Sequence, residues 1–212
     1  AMNRQLAVLL YAFCAVALGS TGDVSKVNGS IDVERGQEVG DVSTVNGSIQ
    51  IADEARVRDV DTVNGAIRLG QRVRAQEVGS VNGGITVGEG TVISDDVSAV
   101  NGKLTLRRGA SVEGGLENVN GELRLEAASV RGGLETVNGD VFVGAGSRID
   151  GGIVVAKPGG WGWSKSERVP RVTVETGAEV KGPLRFDREV ELHVAEGAVV
   201  GPIEGVAPRR VD

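Results

Sequence analysis

At 212 residues and 40% hydrophobic content, the chain carries enough apolar side chains to bury a core, which excludes disorder along most of its length. A formal charge of −6 without a long basic run excludes a nucleic-acid partner, because backbone binding needs a concentrated basic face to displace counterions. Three Phe, two Trp and one Tyr stand against 33 Gly, a mixture that suits a narrow core of branched aliphatics with tight corners between short strands.

Residues 1–20 read as a secretory signal, with Ala1 an added residue before Met2. Asn3 and Arg4 precede thirteen unbroken apolar residues, 6–18, and then the small residues Gly19, Ser20 and Thr21. Thirteen falls short of the roughly 18 apolar residues of a spanning helix, so the mature chain is expected to have no transmembrane span. Two other readings stay open: the segment is retained as a helix plugging one end of the fold, or it carries a lipid anchor at Cys14. Once the segment is removed no Cys remains for disulfide or thiolate chemistry.

Residues 21–155 repeat. The triplet Val-Asn-Gly places Asn28, Asn46, Asn64, Asn82, Asn101, Asn120 and Asn138 at spacings of 18, 18, 18, 19, 19 and 18. A fixed period of this size marks a stacked repeat. Asn-Gly between apolar runs is also a strong hairpin signal. In a two-residue hairpin, however, Val45 lies opposite Ser48 and shares a face with Ser43 and Gln50, leaving the most regular aliphatic on a polar face in every copy. If Asn46 and Gly47 instead turn the chain through an arc, Val45 and Ile49 both point inward across the corner. Eighteen residues then make three short strands and three corners, one coil of an all-β, single-stranded parallel β-helix with a triangular section. The Asn column is expected to form a ladder of side-chain amides, and the following Gly to supply torsions that a side chain opposes.

The pattern changes at residues 156–171, a segment rich in Gly that sits where another Asn-Gly corner is due. It holds Trp161, Trp163, Lys165 and Arg168, an aromatic and basic group on an otherwise acidic, aromatic-poor chain, and is expected to be an extruded loop that contacts a partner. The competing role is that one Trp folds back over the coil. Residues 172–206 resume the solenoid for a total of about ten coils. In the tail, 207–212, Pro208, Arg209 and Arg210 are expected to discourage further strand pairing.

The Val-Asn-Gly-Ser-Ile repeats resemble the β-strand repeats of bacterial adhesin-like proteins. The Gly-small-x-aliphatic-x-Gly corners of residues 109–205 resemble bactofilins, the polymer-forming bacterial cytoskeletal β-helices. These likenesses imply right-handed winding and a structural or adhesive role, and both motifs encode fold more than activity.

Catalytic chemistry has little to draw on. His193 is flanked by alternating aliphatics, which puts it on the outer face of a strand as a solvated side chain. No Cys/His metal set can be assembled, and no metal or cofactor is expected. Asp23, Asp41, Asp59, Glu77 and Asp96 share one repeat position, so stacking lines five acids along an edge, where neighbours repel by about 1 kcal/mol per pair in water. Each is expected to accept a backbone N–H at its own corner, with shared divalent cations as the alternative. The expectation that follows is an exported, non-enzymatic scaffold of the bacterial envelope, at the cell surface or in the periplasm. Its partners would be an envelope protein, a polysaccharide, or other copies met through the end coils. The alternatives are an end-to-end polymer and a carbohydrate-binding or carbohydrate-active β-helix that uses the acidic column.

Overall fold

The computed structural model describes residues 22–158 and 168–211. Its strands are short because the repeat allows few residues between corners. Each of the early coils contributes a five- or six-residue strand ending in Asn, such as Val42–Asn46, and a three-residue strand just beyond the Gly, such as Ile49–Ile51. From the third coil a two-residue strand follows, beginning with Arg74–Ala75. Strands of each kind pair only with their equivalents in neighbouring coils, always in parallel, giving sheets of ten, ten and seven strands. The chain is therefore a parallel β-solenoid, with ten strands in each long sheet.

Register is one-to-one. Ile49 stands beside Ile67, then Ile85, Leu104, Leu123, Val141, Val172 and Leu192, an unbroken aliphatic column. All eight are at most 2% exposed, and with Val42, Val60, Val78, Val97, Leu116, Leu134, Ile153 and Leu184 from the facing sheet they fill the shaft. Branched side chains suit these positions, because each stacks on a like neighbour about 4.8 Å away and few rotamers are lost.

One residue per coil turns the second corner in the left-handed region. The column runs Gly36, Glu54, Arg72, Gly90, Gly109, Ala127, Gly146, Gly177 and Gly197, with φ between 50° and 79°. The Gly that follows each Asn is needed for two reasons. Gly29, Gly102 and Gly121 take the positive φ expected from sequence, at 109°, 153° and 132°. At Gly47, Gly65, Gly83 and Gly139 the left-handed torsion is absent, but an added Cβ would fall far inside 3.0 Å of the Gly carbonyl oxygen in the preceding coil, so close stacking excludes the side chain there.

The inward place expected for the Val before each Asn is corrected by the structure. Strand alternation puts Val42 and Thr44 inside and Ser43 and Val45 outside. Val45, Val63, Val81, Val100 and Val137 are half-buried on the outer surface, Val27 is 67% exposed, and Val119 alone of the column is buried. The interior position two before Asn holds Thr44, Thr62, Ser80, Ala99, Asn118 and Thr136. These short polar side chains can be buried because most find a backbone partner at the corner. Thr44 Oγ1 donates to Gly29 O at 3.2 Å, Thr62 Oγ1 to Gly47 O at 3.0 Å, Ser80 Oγ to Gly65 O at 3.4 Å and Asn118 Nδ2 to Gly102 O at 2.9 Å. Without them, carbonyl groups beside a dry aliphatic shaft would lack a donor.

Residues 156–158 follow Ile153–Val155 of one long sheet and residues 168–170 lead into Arg171–Val174 of the other, at the same corner that carries Asn-Gly elsewhere. The tail also departs from expectation. Arg209–Arg210 pair in parallel with Glu191 and Leu192 as the tenth strand of their sheet, since Pro208 lies before the strand and removes no ladder donor.

Candidate functional site

Three surface features carry chemistry: the Asn ladder with the loop base at its end, the open last coil, and the outer acidic face of the first long sheet. The ladder forms as expected. Each Asn Nδ2 donates to the Oδ1 of the Asn one coil earlier, at 2.9 to 3.1 Å, from Asn46 on Asn28 through Asn138 on Asn120. Every interior amide both donates and accepts, which adds a side-chain ladder to the backbone pairing that ends at these corners.

The ladder ends on a cation. Arg188 Nη1 donates to Asn138 Oδ1 at 2.8 Å and to Val137 O at 3.1 Å, while its Nη2 donates to Arg168 O at 3.0 Å. Arg188 comes from two coils further on, about 50 residues away in sequence, so no local motif announces it. Asp140 completes the joint: it pairs with Arg168 and accepts the backbone N–H of Arg171 at 3.0 Å. Arg171 in turn pairs with Glu191 at 2.7 Å. The expected contact residue Arg168 is thus exposed but engaged at the base of the loop, where it anchors the return of the chain. Trp161, Trp163 and Lys165 lie outside the described residues, as does the apolar segment 6–18.

At the last coil the shaft opens. Val199 is 60% exposed, Val206 41%, Val194 37% and Ile203 36%, and the edges of Ile203–Gly205 and Arg209–Arg210 pair with no further strand among the described residues. The inward residues of the first described coil, Ile31, Val33 and Val39, are buried, so the two ends differ.

The acidic column stacks as expected, but its partners are different. Asp23, Asp59 and Asp96 accept from the next coil rather than from their own corner: Asp23 Oδ1 from Asp41 N at 3.0 Å, Asp96 Oδ1 from Gly115 N at 2.7 Å, and Asp59 from the backbone of Glu77. The reason is the parallel register, which aims the N–H of one coil at the side chain below it. Arg58 neutralises the first two acids, at 2.8 Å from Asp41 and 3.2 Å from Asp23. Asp59 and Glu77 receive no such ion pair, and burial together with neighbouring carboxylates pushes both upward from the ordinary range. Asp61, two residues along the same outward face, is pushed up to about 7 by burial and by the charges of Glu77, Asp59 and Asp41. Sequence reasoning missed Asp61, because it stands alone among Ser25, Ser43, Gly79 and Ser98, three coils before the next acids of its column, Glu117 and Glu135.

His193 faces outward and is half-buried, with Nδ1 3.1 Å from Val211 O, so it closes down the tenth coil instead of standing free in solvent. On another corner a groove of about 490 Å³ is lined by Glu89, Arg107, Arg108, Phe142 and Glu175 among others, and the Arg124 guanidinium stacks 4.0 Å from the centre of the Phe142 ring. Among the described residues no three His, Cys, Asp or Glu side chains converge to hold a metal ion, and no helix is long and apolar enough to cross a membrane. No family model, no curated protein and no solved structure matches the chain.

Proposed function

We propose that the protein is a non-enzymatic scaffold, exported to the bacterial cell envelope, whose rigid rod holds loop 156–171 against a partner. The observation that supports this most is the joint at the loop base. Arg188, Asp140 and Arg171 tie both the end of the Asn ladder and the returning chain to the rod, with bonds of 2.8 to 3.1 Å. A loop clamped in this way projects from a fixed point, which lowers the entropy lost when it binds. The dry aliphatic shaft and the amide column are explained by mechanical continuity alone. In this reading Trp161 and Trp163 supply the contact, with Lys165 beside them. Trp161→Ala with Trp163→Ala should lower binding of the purified chain to isolated bacterial envelopes while leaving the melting temperature within about 1 °C. A variant that binds undiminished removes the loop from the mechanism.

A second reading, assembly of copies through the last coil, is favoured by its four exposed aliphatics and unpaired strand edges. Sedimentation velocity across protein concentration tests it. Growth in size that Ile203→Lys abolishes supports assembly, and a monomer at every concentration rejects it.

A further inference from the structure

Several acids on this rod have a cation. Arg35 and Arg72 flank Glu54, Arg131 meets Glu113, Arg148 meets Glu179 and Lys181 meets Asp150. The outward face of the first long sheet departs from this pattern in its third and fourth coils. There Asp59 and Asp61 lie in adjacent outward positions of one strand, Glu77 stands beside Asp59 in the next, and none of the three forms an ion pair among the described residues. Arg58, whose charge Asp59 feels, is already bonded to Asp41 and Asp23.

Gly79 sits in the middle of this group, between Asp61 one coil before it and Ser98 one coil after it. The point where a Cβ of Gly79 would stand is 2.5 Å from Asp61 Oδ1 and 3.6 Å from Ser98 Oγ, so the two side chains face one methyl-sized gap. Ser98 is 6% exposed, and its hydroxyl has no hydrogen-bond partner. Asp59 Oδ1, on the same face, is also buried without a partner. Unsatisfied buried oxygens are rare in folded proteins, and here two lie beside carboxylates that repel one another. What this cluster lacks is positive charge that binds oxygen.

We infer that the space over Gly79 is a site for a hard divalent cation, ligated by Asp61 and by the Ser98 hydroxyl, with Asp59 and Glu77 supplying charge and contacts through water. Calcium suits it, because that ion takes six to eight oxygen ligands at about 2.3–2.6 Å in irregular geometry and accepts water in the remaining positions. The size of the gap favours a compact ion over an ammonium or guanidinium head. So few protein ligands put the site in the weak class, with dissociation near 10⁻³ M in order of magnitude. The inference does not depend on the scaffold reading, since it concerns charge balance in coils that hold none of the residues of the loop base.

The test uses the full chain freed of metal by a chelator, at pH 7.5 and constant ionic strength, with calcium chloride titrated against the melting temperature and in a calorimeter. At ten times the dissociation constant the folding equilibrium rises about eleven-fold, and the melting temperature by a few degrees. Asp61→Asn, which keeps the shape and removes the buried charge, should fold at least as stably in chelator and lose the calcium response. Ser98→Ala should weaken calcium binding several-fold, and serves as the test should Asp61→Asn fail to fold. The inference is overturned by a wild-type chain that ignores calcium, by a response that sodium chloride of equal ionic strength reproduces, or by one that survives in these variants.

Discussion

Stability should fall as pH rises from 5 to 8, and Asp61 should be the main cause. In the folded chain its carboxyl is pushed up from 3.8 to about 7 by burial first and by Glu77, Asp59 and Asp41 after it. Between these values the folded state holds a proton that the unfolded state has released. Folding then takes up a proton, so the group costs nothing below its unfolded value and imposes its full cost above the folded one. Linkage with these two values gives a loss of about 3 kcal/mol in order of magnitude between pH 5 and pH 8. For a chain of this size that is a drop of roughly 5–11 °C in melting temperature. Asp59, Glu77 and Glu117 are shifted in the same direction and add to the slope. Glu54, held down to about 2 by Arg72 and Arg35, stays ionised in both states across this window and contributes only in stronger acid. Urea or thermal unfolding at pH 5, 6, 7 and 8 in the presence of chelator measures the slope, and Asp61→Asn should remove more than half of it. A flat or rising profile, or one that Asp61→Asn leaves intact, refutes the reasoning.

Other substitutions separate the roles of neighbouring columns. Thr62→Val leaves Gly47 O without its donor and should cost about 1–2 kcal/mol, whereas Val63→Thr on the outer surface should stay within about 0.5 kcal/mol; equilibrium unfolding of the pair tells inside from outside. Gly65→Ala drives a methyl group into Gly47 O and should cost more than 3 kcal/mol or prevent folding, seen as loss of the cooperative transition. Arg188→Ala removes three hydrogen bonds from a charged donor and should cost about 2–3 kcal/mol, with faster amide exchange at Val169 and Arg171 as the sign that the loop base has loosened.

The period, the parallel stacking and the Asn ladder were legible because one signal, Asn-Gly at a spacing of 18 or 19, recurs too regularly to be a set of separate hairpins. Facing was misread at Val45 because hydropathy ranks Val above Thr. The choice is decided by the corner carbonyl, which needs the hydroxyl of Thr44, and no hydropathy scale records that need. The joint at Arg188 was illegible, since its bond to Asn138 spans 50 residues and two coils. The gap over Gly79 depends on which residues fall above and below a glycine in one column. Once the register is known, Asp61, Gly79 and Ser98 can be read off the sequence in a line.

Disulfide trapping tests the stacking on which every column argument depends. In a chain carrying Cys14→Ser, the pair Ser25→Cys with Ser43→Cys joins outward neighbours whose hydroxyls stand 2.9 Å apart in adjacent coils. Parallel stacking predicts that this pair closes readily on mild oxidation, at a Cα separation within disulfide range, and that Ser43→Cys with Gln50→Cys stays reduced. Closure of the second pair in place of the first would mean that Asn46 and Gly47 make a hairpin, and would contradict the solenoid.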